Sequence, residues 1–179
     1  MQPRIPRQSA GEQDDRRPDG VDPDDRFTAE LASAVSGARR RAVRDGDRHV
    51  DTAHLLHSLL ETDADVRTVL GDGPRIARLL GYLVQRSIGY GLRWQSAVED
   101  SGTVPVVSGA TGFSPLAAAA VDEACARAVR RGDDRARGVD LLAALVADPQ
   151  ARAVEVLARA AVEPRAVTAG VARYFEPAS

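Results

Sequence analysis

Lysine is missing from this chain, since all 24 of its basic residues are arginine. That rules out a Walker-type phosphate loop, which needs a lysine, and any Schiff-base lysine. A single cysteine, Cys125, cannot close an internal disulfide. Set at helical spacing among alanines, it reads as a small core residue rather than a reactive thiol. The three histidines, His49, His54 and His57, fall within nine residues, which leaves no Ser/His/Asp or Cys/His pairing with convincing placement and hence no catalytic residue to name. No apolar run approaches the ~20 residues of a membrane span. Residues 1–25 also lack the apolar stretch of a signal peptide, so the expectation is a cytoplasmic protein with no membrane contact. Net charge is −2, and from Phe27 onward the two signs balance at nineteen residues each, which gives no electrostatic ground for a nucleic-acid partner. No motif calls for a cofactor or a metal.

What the chain does contain is an internal repeat. The stretch beginning at Phe27 recurs, ungapped, 86 positions further on at Phe113, with fourteen identities in the thirty-three positions up to Leu59. Phe27, Gly46-Asp47 and the Leu55-Leu56-x-x-Leu59 run recur in order, which chance in an Ala/Arg-rich chain does not explain.

In chain order, residues 1–25 hold four prolines, many charges and only Ile5 and Val21 as sizeable aliphatics, too little to offset ordering entropy; a disordered tail is expected. Phe27, Leu31, Val35, Ala38 and Ala42 then share one helical face, with Thr28 placed as N-cap and Gly46 as C-cap. Asp51 or Thr52 can cap a second helix carrying Leu55, Leu56, Leu59 and Leu60. A short third helix over Asp65–Leu70 and a fourth opening at Pro74, with Ile76, Leu79, Leu80, Leu83 and Val84 inward, complete repeat one, residues 27–88. Residues 89–112, glycine-rich and without helical period, form the connector, with strand conceivable only at Val104–Val107. Repeat two, residues 113–176, begins at Ser114-Pro115 and buries Ala117, Val121, Ala124, Cys125 and Ala128. It continues with helices over Arg137–Ala147 and Ala151–Ala160 and a last one from Pro164. The fold class is all-α: a duplicated four-helix repeat of about eight helices with pseudo-twofold symmetry.

A helix opening Phe-Thr or Phe-Ser-Pro, reaching Gly-Asp after about nineteen residues and followed by a capped helix ending Leu-Leu-x-x-Leu, all duplicated, resembles the N-terminal repeat domain of the Clp unfoldases, the ClpC branch especially. Where that family reads G-T-E-H-I-L-L-G-L, this chain reads Asp51-Thr52-Ala53-His54-Leu55-Leu56-His57-Ser58-Leu59, and again Arg137 to Leu145. The resemblance spans about residues 26–176. It implies a non-catalytic domain that receives substrates, adaptors and, in some members, phosphoarginine marks. Here no ATPase module follows within the 179 residues, so it implies a free-standing copy acting as an accessory factor or as a decoy. The partners implied are Clp unfoldase/protease components, adaptors, substrate peptides or cyclic-peptide ligands.

The resemblance also points to site residues. Thr28 and Ser114 match the hydroxyls that meet phosphate, a role suited to a helix start; the plain alternative is that they are N-caps only. The glutamate that would meet a guanidinium is replaced by Ala53 and Val139, a loss of roughly 1.5–3 kcal/mol for a charge-assisted hydrogen bond. Asp51, Thr52 and Asp140 stand nearby. Phe27 and Phe113 open the two repeats beside the groove that accepts adaptors and cyclic peptides, or else staple their helices into the core. A different class of function, a small metal-dependent enzyme, would use His54, His57 and Glu61, spaced to share one helix face. A third is a purely structural helical domain. The clusters Arg39-Arg40-Arg41 and Arg130-Arg131 read as solvated faces, and Trp94 either pins the connector or meets a partner.

Overall fold

A computed structural model describes residues 23–88, 94, 99 and 112–177. The expected disordered tail lies outside the described residues up to position 22, and Pro23–Arg26 form a 3-10 turn. The connector lies outside them too, apart from Trp94, Glu99 and Gly112, and so does Val104–Val107.

Among the described residues eight α-helices follow: α1 Ala29–Asp45, α2 Thr52–Thr62, α3 Ala64–Leu70, α4 Gly73–Ser87, α5 Pro115–Arg131, α6 Gly138–Leu145, α7 Arg152–Arg159 and α8 Pro164–Phe175. No strand occurs among the described residues. The helix starts and stops are local in origin. Thr28 Oγ1 accepts from the Leu31 amide and Ser114 Oγ from the Ala117 amide. Gly46 and Gly132 close α1 and α5 in the left-handed conformation, at φ 75° and 87°, which costs glycine little.

The centre of the molecule is the pair α2 and α6. Every residue from Thr52 to Leu60 and from Gly138 to Leu145 is buried, as a helix enclosed on all sides requires. Helix α1 covers α2 and α5 covers α6, while α3 packs on α6 and α8 and α4 packs on α7, so each repeat completes the other's core. Leu55, Leu56 and Leu59 are wholly buried, and truncating any of them to alanine costs about 2–5 kcal/mol.

The expected faces of α1, α2 and α5 are the buried ones. Val84 differs, being 48% exposed. At 100° per residue it sits about 80° around α4 from Ile76, beyond the Ile76–Leu79–Leu83 seam that meets the core.

Two reciprocal backbone pairings join the repeats. Phe27 bridges Ala136 and Val50 bridges Phe113, both in parallel sense. The Thr28 amide donates to the Ala136 carbonyl (2.9 Å) and the Ala136 amide to that of Arg26 (2.8 Å). At the symmetric place the Ser114 amide donates to Val50 (2.9 Å) and the Val50 amide to Gly112 (2.8 Å).

Candidate functional site

The symmetry sets the starts of α2, α5 and α7 around one point, and the carboxylate of Glu99, 2% exposed, stands there. Its Oε2 accepts from the Thr52 amide (2.9 Å) and the Ser114 hydroxyl (2.9 Å). Its Oε1 accepts from the Arg152 amide (2.7 Å) and the Thr52 hydroxyl. The Thr52 hydroxyl in turn accepts from the Ala153 amide (3.0 Å). Free amides at helix starts favour an anion. Here the chain supplies that anion itself.

Repeat one has a counterpart. Asp63 caps α3, with Oδ1 accepting from the Asp65 (2.9 Å) and Val66 (3.1 Å) amides, while Oδ2 lies against Gly138 at the start of α6. Gly138 stands where repeat one has Thr52, and no side chain fits there beside Asp63. The start of α7 is headed by Ala151, which offers no capping side chain, and Glu99 takes the role from the connector. Burial pushes the Asp63 carboxyl above its usual range.

A second paired feature lies between the end of the first helix of each repeat and the start of the second. In repeat two, the Arg131 guanidinium grips Asp140 (2.7 and 2.9 Å) and Asp133 (2.8 and 2.9 Å). Repeat one inverts the charges: Asp45 replaces Arg131, and His54 replaces Asp140. His54 Nε2 lies 3.1 Å from Asp47 Oδ2 and 3.8 Å from Asp45 Oδ2, and Nδ1 lies 2.9 Å from Asp51 Oδ1. Burial alone would lower its pKa, but the hydrogen bonds and charges of Asp47 and Asp51 prevail and raise it to about 9.

No protein-family model matches the sequence, and neither does any curated protein. Among solved structures, the chain is similar to the N-terminal domain of the caseinolytic-protease-associated chaperone ClpD from Arabidopsis thaliana. The TM-score is 0.63 at 23% identity, over 85% of this chain and 96% of that one. The Hsp104 N-terminal domain from Candida albicans gives 0.61 at 12%, over 81% and 88%. A protein from a malarial protein secretion system gives 0.60 at 16%, over 84% and 95%. The fold is that of a Clp N-terminal domain.

Within this Clp N-terminal fold the candidate residues separate into groups. Asp51, Thr52 and Ser114 meet at the boundary between repeats, all buried and hydrogen-bonded inside the protein. Burial raises the Asp51 carboxyl, but bonds to His54 and Arg152 outweigh it and bring it down to about 2. Asp140 is fully buried against Arg131, and its Oδ2 also accepts from the Arg137 amide (3.0 Å). Phe27 is core, whereas Phe113 is half-buried with the Arg39 guanidinium 5.3 Å from its ring centre. Thr28 lines an open cleft of about 380 Å³, with Asp63, Asp65, Arg137 and Tyr174, and Asp51 borders another of about 390 Å³. The Tyr174 hydroxyl donates to Asp65 (2.6 Å).

The trio His54, His57 and Glu61 does not assemble. His57 Nε2 faces Glu61 (3.4 Å), but His54 turns to Asp45 and Asp47 across the end of α1. Trp94 is held by Arg86, stacked 3.4 Å from its ring centre, and by Arg152 at 5.1 Å. Within the arginine clusters Arg41 pairs with Glu61, Arg130 with Glu123, and Arg131 with Asp133 and Asp140, while Arg39 lies over Phe113. Cys125 is buried and its thiol is pushed up by burial. Glu99, the buried carboxylate at the centre of this candidate site, is a residue that sequence reasoning missed.

Proposed function

We propose that this chain is a non-catalytic binding module for protein substrates, adaptors or peptide ligands of a Clp unfoldase/protease system, acting in the cytoplasm as an accessory factor or a decoy. Its likeness to the ClpD N-terminal domain over 85% of the chain is the observation that carries the reading. The body spans residues 26–176, and the groove between the two repeats, flanked by Phe113 and the Thr28 cleft, holds the ligand. Three carboxylates, Glu30, Asp63 and Asp65, line that cleft beside one arginine, Arg137, which favours a ligand with a basic side chain. A phosphate mark is disfavoured in repeat two, because Glu99 already takes the Ser114 hydroxyl and the adjacent amides. Cyclic peptides that seat on Clp N-terminal domains belong to the same class of ligand.

The test is capture from native cell extract on the immobilised full chain, with and without arginine phosphorylation. Recovery of a Clp unfoldase, an adaptor or a defined set of protein substrates, unchanged by phosphorylation, is expected. Recovery of none of these would leave a purely structural domain.

A further inference from the structure

Repeat two places a positive group, the Arg131 guanidinium, between Asp133 and Asp140. Repeat one keeps the first carboxylate as Asp47 but has Asp45 in place of the arginine. The fixed guanidinium of repeat two is thus exchanged for carboxylates around an imidazole, His54, a group that can give up its proton to a metal where an arginine cannot. What gathers there is a ligand set for a metal: one oxygen each from Asp45 and Asp47 and Nε2 of His54, all within 4.8 Å of one another. Zinc holds imidazole nitrogen and carboxylate oxygen at about 2.0–2.2 Å, which puts its ligand atoms at this kind of spacing.

The supporting groups suit the same purpose. His54 Nδ1 accepts from the Asp51 amide (3.1 Å) and lies 2.9 Å from Asp51 Oδ1, so Asp51 fixes the ring and leaves Nε2 facing Asp45 and Asp47. Asp51 is itself held by Arg152 (2.7 Å) and by the His54 amide (2.8 Å), so the imidazole cannot swing away. The cluster borders a cavity of about 390 Å³, through which an ion and its waters can enter. His57 lines that cavity as well, 2% exposed, its Nε2 making no hydrogen bond and lying 3.4 Å from Glu61. The positive groups around the cavity are engaged by other partners, Arg41 by Glu61 (2.6 Å), Arg152 by Asp51 (2.7 Å) and Arg86 by the Trp94 ring, while Arg44 meets the other oxygen of Asp45 at 3.5 Å.

We propose that Asp45, Asp47 and His54 bind one divalent transition-metal ion, of zinc's class, at the mouth of this cavity. The imidazole selects against calcium and magnesium, which favour all-oxygen sites, and the absence of thiolate leaves a moderate, exchangeable site. The role is that of a clip between the end of α1 and the start of α2. It is independent of the groove proposed to hold peptides, so either proposal can fail alone.

The experiment is titration of the chelator-stripped full chain with zinc chloride by calorimetry, with cobalt(II) absorption as a report on the ligands. Saturable binding of one ion per chain is expected, with a raised melting temperature and cobalt bands of a nitrogen/oxygen site. Asp47→Asn is the decisive variant, because its side chain is half exposed and the change keeps its size. It should weaken binding by about tenfold or more, while Asp133→Asn, the matching change in repeat two, should leave affinity unchanged. His54→Gln should abolish it, with circular dichroism verifying the fold. Absence of saturable binding to the parent chain, or equal affinity in Asp47→Asn, overturns the site.

Discussion

Arg152 Nη1 lies 2.7 Å from Asp51 Oδ2, so one buried ion pair ties the first turn of α7 to the N-cap of α2 and thereby repeat two to repeat one. Replacing Arg152 with methionine keeps the apolar volume but leaves Asp51 charged and less compensated in the interior. A loss of about 3–5 kcal/mol is expected, the range for breaking a buried pair from one side. Urea denaturation of the variant, and of the double variant with Asp51→Asn, measures it. A loss under about 1 kcal/mol would mean that the pair is no more than a surface bridge in its effect.

Glu99 supplies the acceptors for two amides and two hydroxyls at three helix starts. Glu99→Ala orphans all four donors at once. Stability is expected to fall by about 3 kcal/mol or more, with Glu99→Gln intermediate because its amide retains one acceptor. At this chain length that lowers the melting temperature by about 6–12 °C. Calorimetry reads it directly.

His54 and His57 lie one turn apart on α2 with opposite pKa shifts. Burial, reinforced by the charge of Arg41, lowers His57 to about 4. Between that value and the unfolded 6.5 the unfolded chain binds the extra proton, so acidification across this window destabilises the fold. His54, held near 9 against its burial by Asp47 and Asp51, keeps its proton in the folded state where the unfolded chain loses it. Its stabilisation is complete below pH 6.5 and disappears as pH rises through 9. Stability of the metal-free chain should therefore peak near pH 6.5. His57→Leu should flatten the acid limb and His54→Gln the alkaline one, as followed by denaturant titration across pH in the presence of a chelator.

Gly138 has no room for a side chain. A Cβ there would overlap the Asp63 carboxylate and stand 3.0 Å from Leu59 Cδ2. Gly138→Ala should cost about 1–3 kcal/mol as an overpacked core site. Adding Asp63→Ser, which keeps a capping oxygen for α3 but shortens the side chain, should recover most of it. Strict additivity of the two changes would show that the crowding lies elsewhere.

Much of this architecture was open to reading because its determinants are local. Thr28, Ser114, Gly46 and Gly132 act on amides and carbonyls within a turn of themselves, and the leucines of α2 declare a buried face by spacing alone. The repeat offset carried those readings from one half to the other. What stayed hidden depends on distance in the chain. Glu99 sits in a stretch without period, and its partners lie 15, 47 and 53 residues away. Nothing beside it in the sequence marks it as a cap for helices that others begin. His54 was misgrouped for a related reason: spacing along a helix puts His57 and Glu61 on its face, but the imidazole turns to the end of α1. The signal lies in Asp45-Gly46-Asp47, where the sequence reading takes Gly46 as a helix stop and Gly46-Asp47 as a landmark of the repeat. At Ala53 and Val139 the family's glutamate is missing, and the interior carboxylates of Glu99 and Asp63 offered no trace of themselves at those positions.

The crossed pairings of Phe27 with Ala136 and Val50 with Phe113 make the halves obligate mates. Severing the backbone anywhere between residues 88 and 112 leaves two pieces, each bearing an extended rim whose amides and carbonyls fit only the other piece. Neither is a miniature of the whole, since the core of each is completed by helices of the other.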